Sequence, residues 1–199
     1  MKRNSHLFLL FGVLLVFIWS GIHPHDRFTW ILEVLPAILG MGVLLLTYQK
    51  FTFSNLVYVL IAIHMMILMV GGHYTYAQVP LFNWIRDFFD LSRNHYDRLG
   101  HLTQGFVPAI IAREILLRLS PLKRGKLLNF LIICICLAIS ACYELIEFGV
   151  AVATGTAAQA FLGTQGDVWD TQWDMLMALI GAFLALLILP SLHDKSMRQ

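Results

Sequence analysis

Residues 127–150 read LLNFLIICICLAISACYELIEFGV, and no side chain before Glu144 in that run is charged. Twenty-four helical residues rise ~36 Å, enough to cross a hydrocarbon core of ~30 Å. Counting ~1.5 Å per residue from Leu127 puts Glu144 ~25 Å and Glu147 ~30 Å along the helix. The two acids lie just below and at the far boundary, three residues apart on one face. Charge in hydrocarbon is costly and is kept where something is done with it. The stretch therefore states both the solvent, which is lipid, and the depth at which chemistry belongs.

Five further apolar runs fit the same reading, at about 6–23, 29–48, 55–74, 98–118 and 171–190. Of the 199 residues 58% are hydrophobic and 13% are charged. Soluble domains carry about 25% charged residues. The expected fold is all-α: a polytopic bundle of six transmembrane helices forming one integral membrane domain over 1–199. Short breaks separate the runs. His23-Pro24-His25-Asp26-Arg27 is a polar turn, and Ser120 to Lys126 combines Pro, Gly and three cations, which end a buried helix. Val79 to Arg93 sets Phe82, Ile85, Phe88 and Phe89 against Asn83, Arg86, Asp87, Asp90 and Arg93. It is too short and too charged to span, and reads as an interfacial helix starting near Pro80. The small-residue stretch 149–166 reads as a tight loop or a re-entrant segment.

Several classes drop out. A net charge of +2, without a basic tract, gives no case for a nucleic-acid partner. Cys134, Cys136 and Cys142 share one apolar run, and two-residue spacing sends Cys134 and Cys136 to different sides of a helix. They read as small packing residues. Phe17-Ile18-Trp19-Ser20-Gly21 is too bulky for a signal cleavage site, so the first run reads as a retained anchor. No Gly-x-Ser-x-Gly, His-Glu-x-x-His, phosphate-binding loop or dinucleotide fingerprint is present.

Lysine and arginine set the orientation. Lys2, Arg3, Lys50, Arg118, Lys123, Arg124, Lys126, Lys195 and Arg198 all fall on one side of six spans. The other side holds Arg27, Arg86, Arg93 and Arg98, offset by Asp26, Asp87, Asp90 and Asp97. Both termini are expected in the cytoplasm.

The remaining ionisable residues converge on the opposite, outer face. Asp97 and His101 are i and i+4 at the start of one run, and Asp170 and Asp174 are i and i+4 at the start of another. His101 and Asp174 each lie ~6 Å inside the boundary, level with Glu144. Glu147 and Asp167 stand at that boundary, Glu33 about a turn below it, and His73 near the top of the third run. Each residue also has a plain structural use: Asp97, Asp167 and Asp170 suit helix N-termini, and His101 suits a neighbouring carbonyl. Glu114 lies low, four residues before Arg118, as an ion pair at the inner boundary, and His64 reads as a hydrogen-bonded interhelical residue.

Asp97, His101, Glu144, Glu147, Asp167, Asp170 and Asp174 are the candidate metal ligands. Oxygen-rich sets with a histidine suit Mg²⁺, Mn²⁺ or Zn²⁺. Without a metal, crowded carboxylates share protons and supply an acid and a base, for which His101, Glu144 and Asp174 are the candidates. Either arrangement serves attack on a phosphate or ester of a lipid or lipid-linked envelope molecule at the outer leaflet. The partners expected are membrane lipids and a small-molecule or lipid ligand. A small transporter or channel component is a second reading, and a noncatalytic membrane scaffold a third. Few ionisable steps are read on the inner half, which weighs against transport.

The segments Asn94-His95-Tyr96-Asp97-Arg98-Leu99-Gly100-His101, Tyr143-Glu144-Leu145-Ile146-Glu147 and Gln165-Gly166-Asp167-Val168-Trp169-Asp170-Thr171-Gln172-Trp173-Asp174-Met175 resemble those of the YjdF-like family of bacterial inner-membrane proteins. That likeness runs nearly the full length and implies an inner-membrane, multi-pass location. The second half is similar, more weakly, to VanZ-like membrane proteins. Asp97 and His101 match an Asp-x-x-x-His at the start of a span, Glu144 matches a Glu in the next, and Asp167 and Asp170 match paired acids entering the one after. This chain departs from that pattern in having Asp174 in place of an Asn and no arginine before the paired acids.

Overall fold

The computed structural model describes residues 2–155 and 159–198, with the side chains of all of these except Lys2, Arg3 and Gln159. Among the described residues there is helix and no strand. Six long helices are α1 Lys2–Gly21, α2 Arg27–Thr47, α3 Asn55–Tyr74, α5 Tyr96–Leu119, α6 Lys126–Thr154 and α8 Asp170–Ile188. Three short ones are α4 Pro80–Phe88, α7 Gln159–Leu162 and α9 Pro190–Met197, and a 3-10 turn covers Tyr76–Gln78. The long helices match the six expected runs to within four residues at each end. Five of them are long and apolar enough to cross a membrane. The other, α5, has the length but carries Asp97, Arg98, His101, Arg113, Glu114 and Arg118.

That polarity explains where α5 lies. A charged helix cannot face hydrocarbon, so apolar neighbours must shield it. Helices α3, α6 and α8 pack around α5, and α1 and α2 pack on α3. Leu46, Leu187 and Phe8 are more than three-quarters exposed, as side chains facing lipid are.

Asp26 caps α2 by accepting a 2.7 Å hydrogen bond from the Thr29 amide, which holds its carboxyl below the ordinary range. Helix α4 starts at Pro80 as expected but ends at Phe88. Trp84 stacks on Phe88, and Leu81, Trp84, Phe88 and Phe89 are all exposed, an arrangement that suits an interface. Arg93 does not join the polar face of α4: it is 6% exposed and turned inward. The 149–166 stretch is not one element. Helix α6 continues to Thr154, α7 follows, and residues 156–158, including Ala157 and Ala158, lie outside the described residues.

One end of the bundle gathers the N-terminal turn of α1, the 48–54 and 120–125 turns and α9. His6 contacts Tyr48 Oη at 2.8 Å and Asn55 Oδ1 at 2.9 Å, and the Leu56 amide donates to Ser196 Oγ at 3.1 Å. A buried network closes this end. Glu114 accepts from the Ser54 amide and hydroxyl (2.8 and 2.7 Å), from Arg118 (2.7 Å) and from His193 Nε2 (2.9 Å). His193 Nδ1 accepts from Arg113 at 2.8 Å, so His193 bridges the α5 pair to α9. Burial pushes the Asp194 carboxyl up, but Arg124 and Arg113 outweigh it and hold it below the ordinary range. The Glu114–Arg118 pair was expected. Arg113 and His193 were not, so this half of the bundle is richer in ionisable groups than the sequence reading allows. Replacing His193 with alanine strands Arg113 and a Glu114 oxygen in a buried site. It should cost about 1–3 kcal/mol, read as a lower melting temperature in detergent and faster proteolysis of the C-terminal helix.

Candidate functional site

The other end of the bundle holds the acids. Helices α5 and α8 both enter the bundle there, and their first turns lie side by side. His101 sits one turn below Asp97, with its Nε2 3.5 Å from Asp97 Oδ1 and 3.8 Å from Asp174 Oδ1. One donor atom from each of Asp97, His101 and Asp174 lies within 4.8 Å of the others, and all three residues are at least 95% buried. A tetrahedral ion bound at ~2.0–2.1 Å sets its ligands ~3.4 Å apart, close to the two distances from His101 Nε2. The other ring nitrogen is already engaged: His101 Nδ1–H donates to Gln104 Oε1 at 3.0 Å. That bond orients the ring so that Nε2 faces the two aspartates, as for a ligating histidine held by an outer partner.

Helix α6 brings Glu144 alongside. Its Oε1 is 3.7 Å from His101 Nδ1, too far for a hydrogen bond, and is buried with no hydrogen-bond partner. Tyr143 Oη, also buried and unpartnered, lies on the same turn. Glu144 and Glu147 line a cavity of about 180 Å³ with Phe148, Leu162, Asp170 and Thr171. Glu33 of α2 is 2% exposed and within electrostatic reach of Asp97 and His101.

Two arginines complete the cluster. Arg93 donates to Asp170 Oδ1 (2.6 Å) and to the carbonyls of Gly163 (3.1 Å) and Thr164 (3.3 Å), and reaches Asp97 and Asp167 at 3.5 Å. Arg98 donates to the same Asp170 oxygen (2.7 Å), to Asp167 Oδ2 (3.2 Å) and to Asp174 Oδ1. Asp167 and Asp170 are thus turned to the guanidiniums, whereas Asp97 and Asp174 are shared between the guanidiniums and His101, Asp174 through the same Oδ1. Asp167 Oδ1 also accepts from the Trp169 amide at 2.9 Å, the helix-entry use foreseen for it.

The loop beside α5 is stapled in place. The Gln165 side chain pairs with both backbone groups of Asn94 at 2.9 Å, and buried Asn94 donates to Val79 O (3.1 Å) and Asn83 Oδ1 (2.8 Å). Tyr76 is sandwiched between α3 and α5, where a Cβ on Gly71 would stand 1.8 Å from its ring and one on Gly100 3.2 Å.

The convergence of Asp97, His101, Glu144, Glu147, Asp167, Asp170 and Asp174 read from the sequence is present in the fold. His73 is not part of it: its Nδ1 contacts Ser20 O at 3.0 Å and its ring packs on Trp19. His64 has no hydrogen-bond partner among the described residues. The residues overlooked are Arg93, Arg98 and Gln104. Gln104 follows His101 by three, a spacing that a helix turns into neighbours, whereas Arg93 lies in the loop before α5 and gives no such signal.

The chain matches, over residues 5–195, the family described as predicted membrane protein (DUF2238). It is 49% identical over 185 residues to the inner membrane protein YjdF of Escherichia coli (strain K12), covering 93% of this chain and 88% of that one. No solved structure matches. The chain belongs to the DUF2238 family and is a multi-pass inner-membrane protein.

Proposed function

We propose that this DUF2238 member is a membrane-embedded enzyme that holds one divalent cation on Asp97, His101 and Asp174 and acts on an ester or phosphoryl group of a lipid or lipid-linked molecule. The supporting observation is the buried triad, with an outer hydrogen bond from His101 to Gln104, standing beside the unpartnered Glu144 oxygen. Six carboxylates meet two guanidiniums and one imidazole here, an oxygen-rich set with a histidine of the kind that suits a divalent cation. A bound ion would polarise a substrate oxygen or lower the pKa of water. Glu144, which lines the cavity, would act as the base and take a proton from water there. Arg93 and Arg98 hold Asp167, Asp170 and Asp174 in register beside the cavity.

Orientation is part of the same reading. Arg93 and Arg98 are neutralised inside the cluster and Arg86 pairs with Asp87 at 2.8 Å, so they count little as topogenic charge. Exposed Lys50, Lys123, Arg124, Lys126, Lys195 and Arg198 collect at the opposite end, with both termini. Helix α5 counts as the sixth span, the termini are cytoplasmic and the pocket faces the periplasm. Alkaline phosphatase fused at the C-terminus should be inactive and green fluorescent protein fused there bright; the reverse pattern overturns the side assignment.

The site itself is tested by titrating purified protein with Mn²⁺ and Zn²⁺. His101→Ala and Asp97→Asn should weaken binding of the favoured ion about 100-fold, and Gln104→Ala about 10-fold through loss of the outer partner. Glu144→Gln should leave that affinity within about threefold. Binding that is unchanged in His101→Ala sinks the metal reading.

A second reading, transport of protons, is favoured by one observation. Half-buried His64 lies ~15 Å along α3 from the inner end, between the outer cluster and the Glu114–His193 network. Proteoliposomes that dissipate an imposed pH gradient, and stop doing so in His64→Leu, would replace the enzymatic reading with this one.

A further inference from the structure

Helices α1 and α2 touch each other at the outer end of the bundle. There the Phe17 and Trp30 rings are 5.9 Å apart, Trp30 Nε1 donates to Ser20 Oγ at 3.1 Å, and Gly21 lies against the Trp30 indole. Toward the basic end they separate, each still packed on α3. The space between them is a groove of about 340 Å³ lined almost wholly by apolar side chains. Its floor is Val13, Ile61, Ala62 and Met65, all buried, and its lips are Leu7 and Leu45, both more than half exposed.

The three helices bound it at one depth. The lining runs from His6 to Val13 on α1, from Met41 to Tyr48 on α2 and from Tyr58 to Met65 on α3. Seven residues rise ~10 Å, so the groove stays within the ~15 Å half-thickness of one leaflet. Its mouth is polar, where His6, Tyr48 and Asn55 are hydrogen-bonded together. Beyond the mouth lies the end of the bundle that carries exposed Lys50, Lys123, Arg124, Lys126 and Lys195.

We propose that this groove is a binding site for one acyl chain of an anionic diacyl phospholipid from the leaflet at the basic end. The apolar walls take the tail from the boundary toward the bilayer centre, where the Phe17–Trp30 contact closes the groove. The polar mouth meets the glycerol region, and the lysines attract the phosphate, as basic residues at an anionic leaflet do. The groove lies at the far end of the bundle from the acid cluster and takes no part in its chemistry.

The test uses the full chain in detergent, loaded with phosphatidylglycerol or phosphatidylcholine and examined by native mass spectrometry. Wild type should retain one phosphatidylglycerol per chain, at least fivefold more than phosphatidylcholine. Ala62→Phe, which fills the groove from its floor, should retain at least fivefold less phosphatidylglycerol than wild type. Should that variant fail to fold, Leu45→Trp adds bulk from the exposed lip without disturbing the core and should do the same. Lys50→Glu should reduce the preference for phosphatidylglycerol and leave the protein folded. Undiminished retention in a folded Ala62→Phe or Leu45→Trp chain overturns the groove as the site. Equal retention of the two lipids overturns the anionic assignment.

Discussion

Replacing Arg98 with alanine should lower the melting temperature of the detergent-purified protein by on the order of 10 °C. The Arg98 side chain is only 11% exposed and engages three aspartates from the other side of the cluster: Asp167, Asp170 and Asp174. Asp97 lies 3.7 Å away. Removing the guanidinium leaves Arg93 alone to balance them, and breaking a buried ion pair from one side costs about 3–5 kcal/mol, because the partner charge stays behind. The pairing itself need not be a net gain over an apolar core, so the loss measures the stranded carboxylates. That distinction gives a control. Asp174→Asn in the Arg98→Ala background removes one stranded charge and should restore part of the loss, although the same change alone is harmful. An Arg98→Ala chain melting within 2 °C of wild type would mean that something other than Arg98 compensates these acids.

The helices were legible because lipid leaves little choice. A run such as 127–150 has one way to satisfy its backbone in hydrocarbon, and the depth of Glu144 follows from counting. The convergence of Asp97, His101, Glu144 and Asp174 was legible for the same reason: residues at one depth on packed helices meet. The roles within the cluster were not. Depth gives height and not azimuth, so the sequence put His73 at the level of the cluster, although it turns away to Ser20. Arg93 and Arg98 were hidden by being counted as surface charges that orient the chain. Arg93 precedes α5 in a loop whose path depends on the Asn94–Gln165 staple, a contact 71 residues apart in the chain. His193 was invisible for a similar reason. It lies beyond the last span in a segment that reads as a polar tail, and only the fold returns it to Glu114.

Gly105→Leu should abolish folded protein, or leave a folded fraction with no affinity for the ion. A Cβ on Gly105 would stand 1.8 Å from Ala178 O, and one on Gly181 2.0 Å from Leu102 O. The backbones of α5 and α8 therefore meet directly, through a small residue from each, the close approach that drives helix association in lipid. Main-chain carbonyls cannot rotate aside as a side chain can, so added bulk must part the helices. The cost should equal or exceed the ~1–3 kcal/mol of ordinary overpacking. The site fails first, because both helices run inward from the acid end in register. His101 is one turn above Gly105, and Asp174 is one turn above Ala178. A separation at the glycine is carried up to the triad and moves the donor of Asp174 away from those of Asp97 and His101. Gly105→Ala should already weaken Mn²⁺ or Zn²⁺ binding at least tenfold while the chain still folds. Gly149→Leu, placed where a Cβ meets nothing within 4 Å, should change neither property. A Gly105→Ala protein that binds the ion as wild type does would show that the triad does not depend on the α5–α8 contact, and would separate helix packing from chemistry.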